Sequence, residues 1–265
     1  MTIPASFLFT LAQAGHLAQA GRLAAVALVA LLALLATPFV VFMLPESLPP
    51  EKRVTIAATG ESRMGALAGA LRGPSGFLFM LAFLLAFALA MMEAVLALYG
   101  RQRFTMGPTQ IGMLMGAIGI VSVIQQGVVL GPLTRRIGEV RVIQSGLAIS
   151  ILGFAGMALA PGRWLFVATT ILFSAGNMLL QPSVTSLISR QGGRGQGAVM
   201  GFNQSYQSLG RAVGPLWAGF AFDIHATLAF WTGAIVQMVA LYFTLRKLAP
   251  EAETITNPEP VAENL

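Results

Sequence analysis

The chain has 265 residues and a formal net charge of +6, yet only 10% of its residues are charged and 56% are hydrophobic. An average soluble domain carries about 25% charged residues, so a soluble enzyme is excluded: so much apolar surface cannot be hidden from water. Cysteine is absent, which removes disulfides and thiolate metal sites, and the basic balance lacks the interleaved aromatic residues of a nucleic-acid surface, so no nucleic-acid partner is expected.

In chain order, residues 1–22 form an uncertain segment. Gln13, Gly15, His16, Gln19 and Gly21 interrupt its apolar run, and no basic residue stands before it as a signal peptide requires. An interfacial helix and the remnant of a preceding span both fit. Seven apolar stretches follow, at 23–44, 76–98, 109–131, 142–160, 164–187, 199–221 and 226–245. Each is long enough for the roughly 20 residues that a membrane helix needs. The predicted fold class is an all-α integral membrane protein of about seven transmembrane helices, with the lipid bilayer as its solvent.

Residues 45–75 hold Lys52, Arg53, Arg63 and Arg72 and the run Leu44-Pro45-Glu46-Ser47-Leu48-Pro49-Pro50. Proline and charge together predict a hydrated linker, which divides the helix at 23–44 from a six-helix domain at 76–248. The tail, 249–265, carries four acidic residues and three prolines and is expected to be disordered.

Alternating the loops between two sides sorts the basic residues. Lys52, Arg53, Arg63, Arg72, Arg135, Arg136, Arg141, Arg190, Arg194, Arg246 and Lys247 fall on one side, and Arg22, Arg101, Arg103 and Arg163 on the other. The positive-inside rule then places the linker and the C-terminus in the cytoplasm and the N-terminus outside, in a multi-pass protein of the cell membrane.

Between the third and fourth spans, Gly131 to Arg141 reads as a tight cytoplasmic turn. Gly131, Gly138, Arg135, Arg136 and Arg141 are its structural or gating candidates, with guanidinium groups able to meet helix C-termini or a carboxylate. A plain positive-inside loop explains the same residues. The sixth span is more specific: Gly210, Gly214 and Gly219, with Pro215 beside the second, give a helix that can approach a neighbour closely and bend at a fixed point. Glycines for packing do not account for Asn203, Gln204, Gln207 and Arg211 on the same helix.

Arg211 lies within about 2 Å of the middle of its span by the helical rise, where a charge costs at least about 2.5 kcal/mol, so it must face protein or water. Glu93 is the carboxylate inside a predicted span, about 9 Å outward from the middle of its own helix, and the two can pair. Snorkelling or backbone contact by Arg211 is the rival arrangement. Further amides occur at Gln125 and Gln126, at Asn177 and Gln181, and at Gln237. Amides bond between helices about as often as they line a cavity. Together they point to a cavity, since three helices each carry amides near glycine or proline.

Neither His16 nor His225 has a partner at ligand spacing, so no metal or cofactor is expected. No His, Ser, Cys or Asp pair within the spans supplies a nucleophile with its base, which argues against a membrane enzyme.

These residues resemble the C-terminal half of a major facilitator superfamily transporter of the drug/proton antiporter type, as in tetracycline and multidrug efflux. Leu44 to Arg53 resembles the end of that family's sixth helix and the start of its central loop. Gly131 to Arg141 is similar to the second copy of its signature loop, G-x-x-x-D-R-x-G-R-R/K, with Arg135 at the aspartate position and Glu139 and Val140 at basic ones. Gly201 to Gly219 resembles the glycine spacing of the antiporter motif, with Ala218 at one of the closing glycines, on the helix related by internal repeat to the one that carries it. The likeness spans roughly residues 23–248.

The resemblance implies that the seven helices correspond to helices six to twelve of the family, and that the chain supplies one wall of a midplane site between two rocking halves. It implies proton-coupled efflux of small amphipathic compounds. The partner would be a missing N-terminal half, a second copy or another membrane protein. Candidate cavity residues are Glu93, Gln125, Gln126, Asn177, Gln181, Asn203, Gln207 and Arg211, with Glu93 as the proton-sensitive group. A non-transporting membrane subunit that binds a partner complex through the open wall is the alternative.

Overall fold

A computed structural model describes residues 75–191 and 196–256, with scattered residues between 27 and 73. The chain divides into two units, Met1–Gly60 and Glu61–Leu265. In the first, residues 30–35, 37 and 38 are helical, inside the expected span at 23–44. The rest of that span, residues 1–22, most of the linker and residues 257–265 lie outside the described residues.

The described residues of the second unit are helical almost throughout: α1 (Gly76–Phe104), α2 (Pro108–Ile124), α3 (Leu130–Leu159), α4 (Arg163–Gln191), α5 (Gln196–Ile224) and α6 (Leu228–Thr256), with a π-helical segment at Gln125–Val129 joining α2 to α3. Between Phe77 and Met92 α1 has no charged residue, and it is apolar all round, the mark of a helix enclosed by others. It ends at Arg101 and Arg103, cations suited to a helix C-terminus, and at Thr105, whose left-handed backbone (φ 52°) returns its N–H to the Gly100 carbonyl. Pro108 then starts α2, where its missing N–H costs nothing, and Gln110 accepts from the Gly107 N–H at 3.0 Å.

Two expectations are corrected. Gly131 to Arg141 is not a loop. The helix continues from the π segment through Ile137, breaks at the single residue Gly138 (φ 80°, ψ 157°) and resumes at Glu139. A proline ring normally clashes with the carbonyl four residues back. The wider π turn directly before Pro132 relieves that clash, so the Gly-Pro pair does not stop the helix. The whole change of direction falls on Gly138, whose backbone angles L side chains rarely adopt.

Helix α6 also runs past its expected end at 245, to Thr256, and continues through Pro250.

The helices alternate in direction and share two apolar clusters, one at each end of the unit. The first joins Tyr99, Met106, Phe154, Phe166, Phe173 and Phe230. The second joins Leu78, Phe79, Ile143, Leu147, Leu180, Val184, Tyr206 and Leu248, with Ala70 and Leu71 from the end of the linker packed on it. Arg135, Arg136, Arg141, Arg190, Arg246 and Lys247 accordingly gather at the second end, and Arg101, Arg103 and Arg163 at the first, as the alternation of loops requires.

The α1/α5 and α3/α4 pairs pack most extensively. A Cβ on Gly210 would sit 2.5 Å from the Phe83 carbonyl oxygen, and one on Gly214 2.7 Å from that of Phe87, so α5 rests directly on the backbone of α1. Helix α2 is different. Of its residues only Leu114 is buried, and Met113, Ile120 and Val123 are more than 60% exposed. Such an apolar outer surface suits lipid or another protein in the membrane.

Candidate functional site

The polar side chains collect along one open groove between the π segment, α4 and α5, with Leu89 of α1 also lining it. Its volume is about 850 Å³. Helix α4 supplies Asn177, Gln181, Thr185 and Ser189, one at every fourth position, so they form a single stripe along the helix. Helix α5 supplies Gln196, Met200, Asn203 and Gln207 at steps of four, three and four, again one face, with Gln204 beside them. Gln126 enters from the π segment, where the backbone departs from regular α geometry, a frequent feature of functional sites.

Five of the eight expected cavity residues therefore meet in one place: Gln126, Asn177, Gln181, Asn203 and Gln207. Gln125 does not line the groove. Its amide donates to the Ala175 carbonyl and ties the π segment to α4. Glu93 and Arg211 are exposed, one helical turn beyond Leu89 and Gln207, where their stripes leave the groove. Arg211 is the charge that acts on Glu93, but the expected direct pair does not form: among the described residues, the ion pair within 4.0 Å is Arg190 with Glu139. The two side chains project from α1 and α5 outside the tight crossing, and neither is driven onto the other by burial.

Within the groove, hydrogen bonding is uneven. On α5 the Gln207 amide donates to Asn203 Oδ1 at 3.2 Å, and Asn203 donates to Thr185 Oγ1 at 3.5 Å. Gln126 donates to Ser122 Oγ at 2.9 Å. On α4 the amide nitrogens of Asn177 and Gln181 are buried and have no partner, and Asn177 is only 2% exposed. An unsatisfied buried donor costs about 1–3 kcal/mol. Gln237, on α6, is away from the groove and fully buried, with both amide atoms unpartnered.

Thr185, Ser186, Ser189 and Gln196 also line the groove; hydroxyls in apolar helices often bond only to their own helix, as Ser183 does to Leu179, and Gln196 falls before the predicted span at 199–221. The fourfold spacing from Asn177 to Ser189 is the signal that could have found Thr185 and Ser189.

At the basic end, Glu139 takes a place that the sequence left without a role. Its Oε1 accepts from Ser186 Oγ at 2.7 Å and from the Arg190 guanidinium at 2.9 Å, which joins the start of α3 beyond the break to the end of α4. Arg135, Arg136, Gly138 and Arg141 surround a smaller hollow of about 350 Å³ beside this pair. Of the expected glycines, Gly210 and Gly214 are closing contacts, whereas Gly131 and Gly219 have open space around them.

The sequence pattern of the Major Facilitator Superfamily matches residues 1–215 and 107–262. The chain belongs to the major facilitator superfamily. The match reaches both ends beyond the 23–248 expected from the motifs and takes in residues 1–22. Multidrug resistance protein 2 of Bacillus subtilis is 31% identical over 208 residues, 77% of this chain and 52% of that protein. The class G tetracycline resistance protein of Vibrio anguillarum is 31% identical over 189 residues, 69% of this chain and 47% of that one. In the solved structures, the crystal structure of the human organic anion transporter MFSD10 matches with a TM-score of 0.59 and 25% identity, over 66% of this chain and 41% of that one. The chain thus spans about half the length of the curated relatives it matches, and it is a multi-pass membrane protein of all-α fold.

Proposed function

We propose that this chain forms one wall of a membrane transport path and that its amide-lined groove receives the substrate. The observation that carries the reading is the groove itself, polar side chains from the π segment, α4 and α5 gathered along one open cleft. Relatives whose names denote multidrug and tetracycline resistance support a path for small amphipathic compounds, moved outward in exchange for protons, with Glu93 as the proton-sensitive group. A wall alone cannot alternate access, which needs a second domain to seal each side in turn. The path is completed by an N-terminal half, a second copy or another membrane protein.

Reconstituted alone in vesicles with an imposed proton gradient, the chain is expected to move no fluorescent amphipathic dye above the empty-vesicle rate. Addition of a six-helix N-terminal half from the same family should be needed for transport, and Glu93→Gln should then abolish the gradient dependence. Gradient-driven transport by a verified monomer would defeat the two-half assembly. Failure with every added half would favour a membrane scaffold instead.

The orientation is tested separately, and the cysteine-free sequence removes background labelling. Single cysteines at Ser62 and Thr254 are expected to be shielded from an impermeant thiol reagent in intact cells, and one at Thr105 to react. Labelling of position 62 from outside reverses the topology.

A further inference from the structure

The basic end of the unit holds more positive charge than the fold pairs. On an unbroken helix Arg141 would stand about 120° round the axis from Arg135, and the two would face apart. Helix α3 breaks between them at Gly138, and Arg135, Arg136 and Arg141 line one hollow of about 350 Å³ with Leu187 and Arg190 of α4. Glu139, the carboxylate of this hollow, is held by Ser186 and Arg190. Among the described residues, Arg135, Arg136 and Arg141 have no hydrogen bond or ion pair. Four guanidinium groups against one carboxylate leave three positive charges without an anion. A phosphate answers that arrangement, because its oxygens match the guanidinium fork two at a time and its charge offsets the repulsion among the arginines.

The surface that leads to the hollow is apolar and faces outward. Ile124 and Val128 are 51% and 67% exposed, and Pro132 is exposed as well. With Arg135 they follow at steps of four, four and three, so they share one side of the helix. Ile124 lies about 16 Å from Arg135 along the axis, roughly half the depth of the hydrocarbon core of a bilayer. A lipid chain of one leaflet can therefore lie on this strip while its headgroup reaches the arginines. We propose that the hollow binds the phosphate of an anionic phospholipid through Arg135, Arg136 and Arg141, with an acyl chain along Ile124, Val128 and Pro132.

Native mass spectrometry of the purified full chain in neutral detergent, titrated with phosphatidylglycerol or with phosphatidylcholine of the same acyl chains, reads the first lipid bound. Phosphatidylglycerol is expected to bind about tenfold more tightly, within the return of several arginines on an anionic headgroup. The triple variant Arg135→Gln, Arg136→Gln, Arg141→Gln should lose the preference. The triple variant Arg101→Gln, Arg103→Gln, Arg163→Gln removes as much charge from the other end and should keep it. Thr134→Asp leaves every arginine in place and adds an anion to the lining of the hollow, so it should also lose the preference, and it carries the test if the first triple variant does not fold. Inorganic phosphate in excess should not displace the lipid. Equal binding of the two lipids by the parent chain overturns the proposal, as does a preference that survives both Thr134→Asp and the first triple variant. A preference lost equally in the two triple variants reduces it to bulk charge and overturns the site. Displacement by inorganic phosphate makes the hollow a site for a soluble anion and overturns the lipid.

Discussion

Gly210→Val is expected to destabilise the protein by about 3 kcal/mol or more, and Gly214→Val to do the same, the upper range for overpacking a close contact. At Gly210 a first side-chain carbon would stand 2.5 Å from the Phe83 carbonyl oxygen and 2.9 Å from the Phe87 nitrogen. At Gly214 the distances are 2.7 Å to the Phe87 carbonyl oxygen and 3.0 Å to the Met91 nitrogen. All four obstacles are backbone atoms of α1, so no rotamer change makes room and the helices must separate. Separation also opens the packing around Ala86, Ala90 and Met91, all buried. Gly201 and Gly219 lie on the same helix with nothing near them, and Ala at either should leave stability unchanged within about 0.5 kcal/mol or raise it slightly. Thermal unfolding in detergent separates the two groups. Equal midpoints for Gly210→Val and Gly219→Ala would mean that α1 and α5 do not cross as described.

Arg190→Met is expected to cost about 1–3 kcal/mol. The Glu139 side chain is only 8% exposed and Arg190 66%, so the loss falls below the range of a fully buried pair, because water can partly replace the missing guanidinium. What remains is a carboxylate with one oxygen held by Ser186 and the other buried without a partner. Combining Arg190→Met with Glu139→Gln should recover part of the loss, since the uncompensated charge is gone. A double-mutant cycle on the unfolding midpoint checks the coupling, and strictly additive effects would show that the ion pair contributes nothing.

The six spans from 76 onward were legible because length and apolar composition suffice for a membrane helix. Their alternation, and so the gathering of arginines at two ends, followed from loop counting alone. The break between the third and fourth spans was misplaced for a physical reason: Gly131-Pro132 has the composition of a turn, while the actual turn needs one residue, Gly138, in a conformation that sequence does not announce. In the groove, Asn177, Gln181, Asn203 and Gln207 were legible as amides in an apolar setting. Which amides bond to one another and which are left free depends on the rotation of α4 against α5. Composition carries no trace of that angle. Glu93 and Arg211 looked like natural partners because charges are rare in such helices, but scarcity does not bring two side chains together.

The π segment at Gln125–Val129 has a consequence for how this sequence can change. A π turn holds about one residue more than an α turn, so it is the mark that a single insertion would leave in a regular helix. Removing one residue from it restores regular winding, and because the extra residue is taken up within the one wide turn, α2 keeps nearly its present rotation relative to α3 and Leu114 stays in the bundle. A one-codon deletion here would thus change what the turn itself presents, Gln125 on Ala175 and Gln126 in the groove, and leave the packing faces on either side where they are.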